Sequence, residues 1–202
     1  MTERASKKYR SVLIFGPPGC GKGTLGKFLS GAGNHFHLSS GDIFRGISLE
    51  SPAGKLYHSY ASKGKLLPDT VTIEIWHKYV EGLIATNRYF PSKQLLLLDG
   101  IPRTKKQAQL IKPYVKIEHI ILLETPNEKE LMQRIRRRAL IEKRADDKDP
   151  EVLKTRMDIY HKETKEVLGF YSKKIISKFN ADQKPIKVLT DVLKQISEVL
   201  TL

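Results

Sequence analysis

The run Gly16-Pro17-Pro18-Gly19-Cys20-Gly21-Lys22-Gly23-Thr24 follows directly on the apolar stretch Val12-Leu13-Ile14-Phe15. Glycines at this density let successive backbone N–H groups curl around an anion, and a helix opening at the end of the turn adds partial positive charge. Lys22 brings a full one. The spacing Gly-x-x-x-x-Gly-Lys between a strand and a helix is the setting in which a loop binds phosphate groups. The next position ordinarily carries a hydroxyl that ligates Mg²⁺, but here it is Gly23, and the hydroxyl comes one residue later at Thr24. A metal would then be held mainly by phosphates and water. A purely structural glycine turn is the weaker reading.

A second group of candidates is Leu98-Asp99-Gly100-Ile101-Pro102-Arg103-Thr104. A carboxylate at the C-terminal end of a buried strand sits where ligands bind in open α/β sheets. If that strand neighbours the first, Asp99 lies beside the phosphate loop and would hold Mg²⁺ through water. Gly100 permits close backbone approach, and Arg103 offers a planar two-pronged contact for phosphate. Alone the segment also fits a strand-end turn with a surface arginine; the loop at residue 16 favours the functional reading.

The third element is arginine spacing. Arg134 and Arg138 stand four apart and share one helix face, while Arg136 and Arg137 point elsewhere. Arg144 and Arg156 follow, with Asp146 and Asp147 between them. In isolation this reads as a basic solvated helix. Beside a phosphate loop it reads as guanidiniums that close over phosphates, with the aspartates holding them when no substrate is bound. Phosphoryl transfer needs spread negative charge offset without adding a reactive group.

Positioning such groups requires a scaffold, and the chain alternates apolar strands with helical patterns, the signature of a parallel sheet wrapped by helices. Strands are expected at Ser11–Phe15, His35–Leu38, Gln94–Leu98, Ile117–Glu124 and Ile186–Leu189. Helices are expected at Lys22 to about Ala32, Asp42–Ile47, Pro52–Lys63, Pro68–Arg88, Thr104–Lys112 and from the Asn127 cap to about Glu142. Another opens at Asp149-Pro150 and runs to about Phe179, with Leu153, Met157, Tyr160, Thr164, Val167, Tyr171 and Ile175 on one buried face. Asp191 is read as the cap of a closing helix with Val192, Ile196, Val199 and Leu200 inward. Trp76, with Ile73, Val80 and Leu83, reads as helix packing. Met1–Arg10 is expected to be a disordered basic tail. Residues 11–202 then form one domain with two insertions, about 39–68 and about 137–147.

Composition narrows the class. The single cysteine in 202 residues excludes an intramolecular disulfide and a cysteine-rich zinc site, which suits a reducing cytosol. The first ten residues have no apolar core, so they are not read as a signal peptide, and no apolar run is long enough to span a membrane. Lys and Arg total 36 against 22 Asp and Glu, a net charge of +14. That balance suits anionic partners, nucleotides or nucleic acid. Much of the excess, such as Lys173, Lys174 and Lys178, reads as solvated helix surface.

Together these motifs resemble the adenylate kinases, nucleoside monophosphate kinases of the short-lid type. The resemblance runs from Ser11 to the C-terminus. It is carried by the loop with Gly23, Ser39-Ser40-Gly41-Asp42-Ile43-Phe44-Arg45, Gly64-Lys65-Leu66-Leu67-Pro68-Asp69, the segment Asp99–Thr104, Gln107 and the arginines. It implies a P-loop fold with five parallel strands in order 2-3-1-4-5, and two mobile flaps. It also implies reversible phosphoryl transfer between Mg·ATP and AMP, giving two ADP.

Residue roles follow from the resemblance. Gly19, Cys20, Gly21, Lys22, Gly23 and Thr24 would wrap the ATP phosphates. Arg134 and Lys184 would lie near the ATP adenine, and Arg138 on ATP phosphates. Arg45, Arg103 and Arg156 would clamp the AMP phosphate, with Arg144 joining across the transferred group. Ser40 and Gln107 would read the AMP base beside Lys65, Leu66, Leu67, Gly100, Ile101 and Pro102. Lys22, Arg103, Arg138, Arg144 and Arg156 would be catalytic. No general base is demanded.

The sequence departs from the family at Ser40, usually threonine, and Ile101, usually aromatic, so a UMP/CMP kinase of the same fold stays as the alternative. A nucleotide-switched nucleic-acid-binding protein is the remoter one; no nucleic-acid motif is present. Only five residues separate Arg138 from Arg144, so the lid is not expected to hold zinc. A cytosolic monomer is expected.

Overall fold

The computed structural model describes residues 8–142 and 147–201. Its five strands are β1 (Tyr9–Phe15), β2 (Phe36–Ser39), β3 (Leu96–Asp99), β4 (Val115–Glu124) and β5 (Ile176–Asn180). All pair in parallel, in the order β2-β3-β1-β4-β5. The expected fold class and strand order are therefore observed. The four leucines Leu95–Leu98 are fully buried, as a central parallel strand covered on both faces demands.

Alternation along the strands divides the core in two. Leu13, Phe15, Leu96, Leu98, Ile120 and Leu122 face one way. They pack against α4 (Asp69–Ala85) through Ile73, Trp76 and Val80 and against α5 (Lys105–Ile111) through Ala108 and Ile111. Val12, Ile14, Leu95, Leu97, Ile121 and Leu123 face the other way. There they meet α1 (Lys22–Gly33) through Leu25 and Leu29, α6 (Glu128–Ile141) through Leu131, and α9 (Pro185–Leu200) through Val188, Val192 and Ile196. Trp76 is wholly buried, as expected of helix packing. Because the strands are parallel, their C-terminal ends share one edge, and the order reverses at β1. A ligand crevice is expected there.

β1 begins two residues earlier than expected, at Tyr9, because Tyr9 pairs with Val115 and Arg10 bonds Glu118 across to β4. The C-terminal third departs more. The last strand is Ile176–Asn180, not Ile186–Leu189. Ser177 and Phe179 are buried between more exposed neighbours, the period of two that marks a strand. Pro185 instead opens α9, where its fixed φ suits the first helical turn, and Val188, Val192 and Ile196 recur at four-residue spacing. Asp191 lies inside this helix, bonded to Lys187 (2.6 Å) and Gln183 (2.8 Å), and caps nothing.

The helix expected to reach Phe179 stops short. α7 (Pro150–Ile159) continues through a π-turn at Tyr160–Thr164, α8 (Lys165–Val167) and a tight turn at Leu168–Phe170. Much of its expected inward face survives: Leu153, Thr164 and Val167 are buried. Two shorter helices, α2 (Ser40–Arg45) and α3 (Pro52–Ala61), follow β2 and overhang the C-terminal edge.

Candidate active site

One cleft of about 830 Å³ opens along the strand C-termini, lined by β-strand ends, the glycine-rich turn and residues of α2, α3 and α6. Gly19 and Gly21 have φ of 82° and 98°, which favour glycine. A Cβ on Gly19 would also meet the Leu131 carbonyl oxygen at 2.9 Å. α1 has Gly21 as its cap and no side chain capping it, so its first-turn N–H groups are left to bind an anion. Lys22 Nζ donates to the carbonyls of Gly16 (2.8 Å) and Pro17 (2.9 Å), folding the lysine over its own loop.

Cys20 lies in the same glycine-rich turn, next to the cap of α1. A helix N-terminus lowers a thiol pKa, yet burial pushes this one up, outweighing the nearby Lys22 charge.

Asp99 ends β3 beside Ile14 of β1, next to the loop as the sequence reading required. A Cβ on Gly23 would lie 3.6 Å from its Oδ2, in ordinary van der Waals contact, so position 23 lies next to this carboxylate. His37 Nε2 stands 3.8 Å away. A single hard carboxylate oxygen with no hydroxyl at position 23 fits an Mg²⁺ that keeps its waters and leans on phosphate ligands.

Beyond Asp99 the chain turns at Gly100 (φ 77°), whose carbonyl accepts from Ser40 Oγ and Arg103 Nε, each at 2.7 Å. Burial, then the neighbouring Arg156 charge, pushes the Arg103 guanidinium below its ordinary pKa. An anion bound beside this guanidinium would offset that cost. Arg45 bonds Asp42 at 2.5 Å. Arg138 and Arg156 both bond the fully buried carboxylate of Asp147.

At the far end Arg134 donates to the Ala181 carbonyl (3.0 Å) and to Glu130 (2.5 Å), near Lys184 on the same wall. Arg134 holds the Glu130 carboxyl below its usual range, and a shared hydrogen bond in which the Glu130 carboxylate accepts raises that of Asp182.

Every expected site residue within the described part lines this cleft, from Gly19–Thr24 and Asp99 through Ser40, Arg45, Lys65–Leu67, Gly100–Arg103 and Gln107 to Arg134, Arg138, Arg156 and Lys184. Arg144 and Asp146 lie outside the described residues. Sequence reasoning missed Tyr57, which stacks on Phe44 in the cleft wall (centroids 5.7 Å apart, planes at 18°). It also gave Asp69 no role, although Asp69 sits inside a quoted motif.

A family model described as adenylate kinase matches residues 14–176. The chain belongs to the adenylate kinase family. Adenylate kinase of Flavobacterium psychrophilum is 35% identical over 196 residues, covering 94% of this chain and 97% of that protein. Adenylate kinase of Borrelia turicatae is 34% identical over 192 residues, covering 80% and 86%. That of Micrococcus luteus is 37% identical over 166 residues, covering 79% and 77%. The protein is thus a phosphotransferase of the nucleoside monophosphate kinase kind. In this adenylate kinase family member the glycine-rich turn, the strand-end carboxylate and the arginines are gathered by one cleft. No helix among the described residues is long and apolar enough to cross a membrane.

Proposed function

We propose that this kinase moves the γ-phosphoryl group of ATP reversibly to the phosphate of AMP, giving two ADP. The observation that carries the reading is convergence: Lys22, Arg45, Arg103, Arg138 and Arg156 line one cleft together with Arg134 and Lys184 and with Ser40, Lys65–Leu67 and Gln107. ATP would lay its phosphates in Gly19–Thr24 with its base toward Arg134 and Lys184. AMP would enter from the other end, its base toward Ser40, Lys65–Leu67 and Gln107 and its phosphate on Arg45, Arg103 and Arg156. An AMP phosphate oxygen is already anionic, so it bonds to the γ-phosphorus as the bond to the β-bridging oxygen breaks, and no residue need take a proton.

The chain's work is positioning and charge. Lys22 leaves the Gly16 and Pro17 carbonyls for the outer phosphates, and Arg138 and Arg156 exchange Asp147 for the transferring group. Arg144 would join them. Asp99 would hold, through water, the Mg²⁺ bound with ATP, which would supply further charge neutralisation. The insertions at about 39–68 and 137–147 would close over the nucleotides and exclude water. The same reading takes the enzyme as a cytosolic monomer.

A coupled assay of ADP formation from ATP with AMP, dAMP, UMP, CMP or GMP tests this. AMP is expected to have the highest kcat/KM. UMP or CMP outrunning AMP would replace the acceptor with a pyrimidine nucleotide.

A further inference from the structure

Gln107 is 1% exposed, yet it forms part of the cleft wall. Its Oε1 accepts from the Arg103 backbone N–H at 2.8 Å, and its Nε2 donates to Asp69 Oδ1 at 2.9 Å. The same Asp69 oxygen accepts from Thr104 Oγ1 at 3.0 Å, and Thr104 Oγ1 accepts from the Gln107 backbone N–H at 3.0 Å. A carboxylate only accepts and a backbone N–H only donates. Turning the amide over would set its oxygen against a carboxylate and its NH₂ against an N–H. One orientation satisfies both neighbours.

In that orientation one N–H of Nε2 and one lone pair of Oε1 keep no partner among the described residues. Donor and acceptor thus stand in a set order. Adenine offers an acceptor at N1 and a donor at its amino group, which can match that order. Hypoxanthine, guanine and uracil offer the reverse, a ring N–H and a carbonyl oxygen. An unrestrained glutamine amide would turn over and serve either kind.

We propose that Asp69 is a positioning residue that locks the Gln107 amide to accept an amino-substituted base and reject an oxo base. The proposal rests on the reading that the acceptor nucleotide's base lies at this end of the cleft. Asp69 opens α4, so the lock couples base choice to the helix that follows the first insertion.

AMP and IMP differ at this edge and little else, which makes their ratio the readout. The unmodified enzyme is expected to favour AMP over IMP by about 100-fold in kcat/KM, because the wrong base leaves buried polar groups unpaired. Asp69→Ala should shrink that ratio at least about tenfold, through the acceptor KM and calorimetric Kd, with the ATP KM unchanged. Asp69→Asn keeps an accepting oxygen and should hold the ratio within about threefold of the unmodified value. Should Asp69→Ala not fold, Asp69→Ser repeats the test with a residue suited to a helix start but too short to reach Gln107.

An unchanged AMP:IMP ratio in the folded Ala or Ser variant overturns the proposal and leaves the acceptor site standing. Failure of the unmodified enzyme to bind or phosphorylate AMP overturns both.

Discussion

Arg138 places both its Nε (2.8 Å) and its Nη2 (2.6 Å) on one oxygen of Asp147, while Arg156 Nη1 takes the other oxygen. The carboxylate itself has no exposure. An anion held between two guanidiniums is what a transferring phosphoryl group would be at this point in the cleft. Asp147 keeps these like charges from repelling, and under the proposed transfer it would stand in for substrate charge.

Removing that carboxylate should destabilise the enzyme. Breaking a buried ion pair costs about 3–5 kcal/mol, and partial exposure of both arginines should reduce this for Asp147→Ala to about 2 kcal/mol. A polyanionic nucleotide should restore what was lost, so the rise in Tm on adding ATP should exceed that of the unmodified protein. Equal shifts in both proteins would show that Asp147 does not act as a substrate stand-in.

Lys22→Met should separate activity from folding. Its two hydrogen bonds to loop carbonyls are worth about 1 kcal/mol each, so the variant should stay folded by circular dichroism. Loss of the loop's full charge should lower kcat by about 10³-fold. A variant retaining most of its turnover would remove Lys22 from the phosphate site.

The site was more legible in the sequence than parts of the scaffold. Glycine spacing, Asp99 at a strand end and arginines at helical spacing each state a local requirement, and local requirements survive tertiary packing. The C-terminal third did not, because Ile186–Leu189 and Ile176–Asn180 both carry strand-compatible residues. What decides between them is Pro185 at a helix start and the packing of Val188 against the sheet. The Asp147 clasp was legible as a charge pattern; the Asp69–Gln107 lock needed two segments, more than thirty residues apart, brought together.

Two glycines of α1 should respond oppositely to alanine. A Cβ on Gly26 would meet the His37 ring at 2.3 Å, so Gly26→Ala should cost about 1–3 kcal/mol of overpacking. Gly31 has open space, so Gly31→Ala should gain about 0.5–1 kcal/mol from helix propensity. Urea titrations measure both. Matching signs would mean that Gly26 of α1 does not face His37 of β2.

Burial pushes His35 and His119 below the ordinary imidazole pKa. His119 Nε2 lies 2.9 Å from Ser177 Oγ, which also accepts from Gln195 Nε2 at 3.1 Å. Below about pH 6.5 the unfolded chain binds protons that the folded one refuses, so stability falls with pH there and is complete above it. Each residue contributes at most about 1.4 kcal/mol per pH unit. His119→Gln should therefore lose less Tm between pH 7.5 and 5 than the unmodified protein, and an identical slope would contradict the burial argument.

In the proposed transfer one cleft holds two nucleotides, their phosphates meeting at Lys22, Arg103, Arg138 and Arg156. Calorimetric titration with a bisubstrate analogue, two adenosines joined through five phosphates, tests it most directly. One analogue should bind per chain, far more tightly than ATP or AMP alone, because a single ligand fills both ends and neutralises both sets of arginines. Arg138→Ala and Arg156→Ala should each weaken it by about tenfold or more. Affinity for the analogue no greater than for ATP would contradict the account, since it would mean the cleft has no second nucleotide site.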